Sequence, residues 1–173
     1  TALSNALNGK IVLGNDSKKD YPISVALVAH GYDVLDDQAS MKIFDKLDKM
    51  NVKVYSTYQL TDEQKIEGLN TLEQRMYWAN ELDMTGTAGH YLKDNKIDGL
   101  VTVNSFGCGP DSLMIEKIVR KAKDFSKPIL TLTIDEHTGE AGFITRLEAF
   151  VDMLYRKKRA AEKNASKTRD SEF

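Results

Sequence analysis

Four short apolar runs separated by helical stretches limit what this chain can fold into. They are Pro22-Ile23-Ser24-Val25-Ala26-Leu27-Val28-Ala29, Val52-Lys53-Val54-Tyr55-Ser56, Ile97-Asp98-Gly99-Leu100-Val101-Thr102-Val103 and Pro128-Ile129-Leu130-Thr131-Leu132-Thr133-Ile134. Their length and their β-branched residues suit strands covered on both faces. Between them, apolar residues recur at helical spacing. Met41, Phe44, Leu47 and Met50 mark a helix within Gln38 to Met50, a second helix spans Asp111 to Phe125, and Phe143, Leu147, Phe150, Val151 and Leu154 give a last one from about Glu140 one buried face. From Thr61 to Asn95 the composition is helical with a less regular register, and two or three helices are expected there. Strands alternating with helices predict an α/β domain of three layers, Rossmann- or flavodoxin-like, with a parallel sheet of about four strands and right-handed crossovers. The expected strand order is 2-1-3-4.

That order brings the carboxyl ends of the first and third strands together at a switch point, where open α/β sheets place their ligands. His30-Gly31-Tyr32 follows the first strand, and Ser105-Phe106-Gly107-Cys108-Gly109-Pro110-Asp111-Ser112 follows the third as a strand-to-helix turn. The two glycines let the backbone approach a ligand closely, and Pro110 suits a first helical position. His30, Tyr32, Ser105, Gly107 and Gly109 are therefore candidate contacts for a cofactor. Cys108, the single cysteine, would face the positive end of a helix, a placement that favours thiolate. Three roles are open to it: a small buried hydrophobe, a nucleophile with His137 or His30 as base, or a metal or cluster ligand. An iron–sulfur cubane takes several cysteines, so the last role needs thiolates that this chain does not own.

Asp135-Glu136-His137-Thr138-Gly139-Glu140, after the fourth strand, opens on the same rim. Asp135, His137 and Glu140 are catalytic candidates there. The same residues also compose a helix start, with Asp135 or Thr138 as cap and Glu140 in the first turn. Neither Gly107-Cys108-Gly109 nor Gly139-Glu140-Ala141-Gly142 has the spacing of a phosphate-binding loop. His90 beside Tyr91, and Tyr77-Trp78, read as packing residues.

A length of 173 residues suits one core, and the formal net charge of −2 gives no bulk attraction to nucleic acid or an anionic membrane. Neither is expected as a partner. With one cysteine, no membrane-length apolar run and no signal pattern at the start, the cytoplasm is the expected compartment. Thr1-Ala2-Leu3-Ser4-Asn5-Ala6-Leu7 looks like the middle of a helix without a start signal, as in a piece of a longer protein. The expected division is a helix remnant and linker over 1–21, the α/β lobe over 22–156, and a polar tail over 157–173. Apolar periodicity is lost after Arg156, so that tail is expected to be a frayed helix followed by disorder.

The turn around Cys108, together with Thr133-Ile134-Asp135-Glu136-His137-Thr138-Gly139-Glu140-Ala141-Gly142 and Thr145-Arg146-Leu147-Glu148-Ala149-Phe150, resembles the C-terminal part of the 2-hydroxyacyl-CoA dehydratase component D-like proteins. The resemblance is nearest to the version in large CoA-enzyme-activase-related proteins, and with the Ala29-His30-Gly31-Tyr32-Asp33-Val34-Leu35-Asp36-Asp37 loop it covers most of 23–156. It implies a lobe of an iron–sulfur protein that receives electrons from an ATP-driven activase, with a [4Fe–4S] cluster held by cysteines from more than one lobe. Cys108 matches the motif position and is the implied metal ligand. The implied partners are other lobes carrying further cysteines and an ATP-binding activase domain, and a homodimer is compatible with the same arrangement. The isolated domain is then expected to hold no intact cluster and to be inactive alone.

Overall fold

The computed structural model describes residues 20–31, 33, 40–72, 79–135 and 137–170. Its strands are β1 (Ile23–Val28), β2 (Val52–Tyr55), β3 (Gly99–Ser105) and β4 (Ile129–Ile134). They form one sheet in the order β2-β1-β3-β4, and every pair is parallel. The expected order therefore holds. Winding reverses between β1 and β3, where Val25 to Val28 lie opposite Gly99 to Thr102.

The helices are α1 (Ile43–Lys49), α2 (Asp62–Thr71), α3 (Ala79–Lys93), α4 (Gly109–Asp124) and α5 (Glu140–Asp170), with a short 3₁₀ turn at Thr57–Gln59. They cover both sheet faces, making the three-layer Rossmann-like α/β fold. On one face, alternate residues of β1 (Ile23, Val25, Leu27) pack with Ile43 and Leu47 of α1 and with Phe143, Leu147 and Leu154 of α5. On the other, Ala26 and Val28 pack with Met84, Ala88 and Leu92 of α3 and Ile118 and Ala122 of α4. Alternation along a single strand thus feeds two cores, which is why the strands read as apolar throughout.

Several boundaries differ from expectation for local reasons. Residues 38 and 39 lie outside the described part, and Met41 and Lys42 have φ of 48° and 53°. That left-handed pair cannot continue a helix, so α1 begins at Ile43. Two helices occupy the described part of the Thr61 to Asn95 stretch; Tyr77 and Trp78 fall outside it. Thr61 starts α2 with a reciprocal cap: Gln64 N–H donates to Thr61 Oγ1 at 3.3 Å, and Thr61 N–H donates to Gln64 Oε1 at 2.9 Å. Helices α2 and α3 touch backbone to backbone, since a Cβ added at Gly68 would meet Gly86 O at 2.0 Å.

The last helix departs most. It does not end near Arg156 but continues to Asp170. Ala160, Ala161, Glu162 and Lys163 favour helix intrinsically, and the packed turns upstream supply the nucleus from which they propagate. Among the described residues, no helix is long and apolar enough to cross a membrane.

Candidate functional site

The crevice at the switch point is built from the ends of β1 and β3 and the start of α4. Ser105 closes β3, and Phe106 N–H donates to Ile134 O at 2.8 Å, fastening the turn to the neighbouring strand. Gly107 has a φ of 82°, a left-handed conformation that side chains resist, and this bend directs the chain into α4. Cys108 is the N-cap of α4, with Pro110 in the first turn. Ser112 returns to it: its N–H and Oγ–H donate to Cys108 O at 3.2 and 2.9 Å. Among the described residues, a Cβ at Gly107 or at Gly109 would meet nothing within 4 Å, so the described rim is open.

Beneath the rim sits a buried polar cluster. His30 Nε2–H donates to Asp111 Oδ1 at 2.6 Å, and the two residues are 8% and 1% exposed. Ser105 Oγ–H donates to Asp33 Oδ1 at 2.9 Å. Among the described residues, the second oxygens, Asp33 Oδ2 and Asp111 Oδ2, are buried without a hydrogen-bond partner. Burial pushes the Asp33 carboxyl above its ordinary pKa; the Ser105 hydrogen bond and the His30 charge act against that rise, and the Asp111 charge adds to it. Two acidic side chains and an imidazole, drawn from the residues that follow β1 and from α4, thus lock the two halves of the crevice together.

The helix start does not turn Cys108 into a thiolate, contrary to expectation. The Asp111 backbone N–H lowers the thiol pKa, as a helix N-terminus should. Desolvation, the Asp111 side chain and the charges of Asp111 and Asp33 outweigh it, and the net shift is upward. Desolvation and neighbouring negative charge together outweigh the helix start.

Ser105, His30, Gly107, Gly109 and Cys108 come together as the strand order requires; Tyr32 lies outside the described residues. The residues after β4 form a turn ahead of α5. Asp135 Oδ1 accepts from His137 N–H at 2.9 Å and Thr138 Oγ–H at 2.7 Å, and Thr138 Oγ1 accepts from Asp135 N–H at 2.8 Å. The Thr138 hydroxyl and the His137 amide hold the Asp135 carboxyl below the usual carboxylate range. Glu140 pairs with Lys46 of α1 at 2.8 Å, and that ammonium lowers the Glu140 pKa in the same way. His137 is exposed. Asp135 and Thr138 close the 135–138 turn rather than bonding the first amides of α5, where Gly139 O accepts from Phe143 N–H, and the carboxylates of Asp135 and Glu140 are directed into that turn and onto α1.

Asp33 and Asp111 were not legible as site residues. Asp111 follows Pro110, so it reads as an ordinary first-turn acid, and its side-chain partner is a histidine 81 residues away. Among the described residues, no group of three or more His, Cys, Asp or Glu side chains is arranged to hold a metal ion. No family model and no curated protein matches the chain.

Proposed function

We propose that this chain is one α/β lobe of an activase-linked iron–sulfur protein, of the kind its motifs resemble, and that it contributes Cys108 as a single cluster ligand. The observation that carries this reading is the position of the thiol: a partly exposed N-cap residue on an open rim at the sheet's switch point. One thiol fits a cluster shared with other lobes and does not fit one held by this chain alone, because the sequence has no second cysteine. When bound, such a cluster supplies one-electron transfer. The chain's own residues hold and orient the ligand: Gly107 sets the bend, Ser112 fixes the Cys108 carbonyl, and the His30–Asp111 pair secures the turn from below. The nearby carboxylates favour a protonated thiol, so Cys108 would give up its proton on binding metal rather than in advance. That same preference speaks against a thiol enzyme with His137 as base.

A scaffold lobe without chemistry is the second reading, and the left-handed Gly107 favours it, since the motif then needs only to shape a turn. Anaerobic reconstitution of the full-length protein with iron and sulfide, wild type against Cys108→Ser, separates the two. Loss of bound iron and of the visible cluster absorption is expected. Unchanged iron content and spectrum in the variant would leave only the scaffold.

A further inference from the structure

A second feature of the carboxyl-terminal sheet edge is independent of Cys108. A cavity of about 380 Å³ opens between His30 and Gly31 after β1, Thr57 and Tyr58 after β2, Lys65 of α2 and Asp83 of α3. Ligands of open α/β sheets bind at this edge, and the volume is that of a small-molecule site.

Its lining alternates donors and acceptors. Lys65 Nζ–H donates to Asp83 Oδ1 at 2.8 Å; the lysine side chain is 15% exposed and the aspartate 49%, so the carboxylate is the open half of the pair. Beside them, burial and the Asp83 charge push the Tyr58 hydroxyl pKa up against the pull of Lys65, which keeps that hydroxyl a neutral donor. Thr57 Oγ1 is buried with no hydrogen-bond partner among the described residues, an unmet bond that a ligand could satisfy.

Charge narrows the ligand. Asp62 also approaches Lys65, at 3.6 Å, so two carboxylates already share that ammonium, and His30 of the lining is paired with Asp111. A phosphate or carboxylate would meet this excess of negative charge. A cation at Asp83 would lie beside the Lys65 ammonium, 2.8 Å from Asp83 Oδ1, and be repelled by it. A neutral vicinal diol avoids both repulsions: each hydroxyl can donate to Asp83 or Thr57 while accepting from Lys65 or Tyr58, and the ion pair stays intact.

We propose that this cavity binds a small neutral ligand through a vicinal diol, such as a free pentose or the ribose of a nucleoside. The recognition rests on Asp83 and Lys65, with Tyr58 and Thr57 completing it.

Titration of the ¹⁵N-labelled chain with D-ribose, adenosine and 2′,3′-dideoxyadenosine tests this, read as amide shifts at Gly31, Tyr58, Lys65 and Asp83. Saturable shifts with both ribose and adenosine indicate a free-sugar site, and shifts with adenosine alone indicate a nucleoside site. In either case the dideoxy compound should bind at least about tenfold more weakly, the loss expected when hydrogen bonds to charged groups go unmade. Asp83→Asn should weaken binding by about the same factor. Tyr58→Phe, which keeps the ring, provides a second variant should Asp83→Asn disturb the Lys65 packing. Equal binding of the dideoxy compound, shifts confined to other surfaces, or no saturation with any probe would overturn the proposal. Because no iron is involved, failure here is separate from failure of the cluster reading.

Discussion

Replacing His30 by alanine should destabilise this protein far more than a loop histidine normally would. Asp111 is 1% exposed and Oδ2 has no partner among the described residues, so losing the 2.6 Å bond from His30 leaves a buried carboxylate with only the weak Cys108 thiol donor beside it. Breaking a buried pair by removing one member costs about 3–5 kcal/mol. His30 is itself 8% exposed, which admits some water and places the expectation at the lower end, about 3 kcal/mol. For a domain of this size that corresponds to a fall in Tm of about 6–12 °C. Urea unfolding followed by circular dichroism, with His30→Ala, Asp111→Ala and the double variant, measures the coupling directly. The double variant should lose less than the sum of the singles, by about 1.5–3 kcal/mol. A His30→Ala cost below about 1 kcal/mol, with additive singles, would refute the view that this pair locks the crevice.

Two further outcomes follow from the packing and from the buried acid. Gly68→Ala places a Cβ 2.0 Å from Gly86 O and Gly89→Ala places one 1.9 Å from Gly68 O, both against backbone, so each should cost about 3 kcal/mol or more in urea midpoint analysis. Among the described residues, Gly109→Ala meets no atom and should stay within about 0.5 kcal/mol of wild type; a comparable loss there would show that the rim is less open than described. Asp33 has its folded pKa raised by burial, so its carboxylate penalises the folded state above that pKa, and the penalty fades as pH falls below the ordinary carboxylate range. Asp33→Asn should therefore gain stability relative to wild type near neutral pH and lose that advantage in acid. Urea midpoints across that range check the sign, and an advantage growing toward acid would contradict it.

Much of the fold was legible because its determinants are local. The apolar runs at residues 22–29, 97–103 and 128–134 differ from the intervening segments in both length and periodicity, and right-handed crossovers leave few ways to arrange them. The left-handed Met41 and Lys42 were not legible, since neither residue type announces that conformation. Past Arg156 the loss of the apolar face pointed to a frayed helix and a disordered tail, whereas a run of good helix formers carries α5 on to Asp170. Gly86 and Gly89 lie three residues apart in the sequence, but their purpose appears only when Gly68 of a different helix is found against them.

The site divides along the same line. The sequence by itself determined that Cys108 sits where a strand turns into a helix, and that His30 and Ser105 share its crevice, because short-range pattern and strand order are enough to place them. Only the tertiary structure decided the chemistry around that thiol. Asp33 and Asp111 are ordinary acids until the residues that follow β1 meet α4; burial and proximity then raise the Cys108 pKa that the helix start alone would have lowered. A thiol's charge state depends on every dipole and ion within a few ångströms, and those neighbours come from segments far apart in the chain.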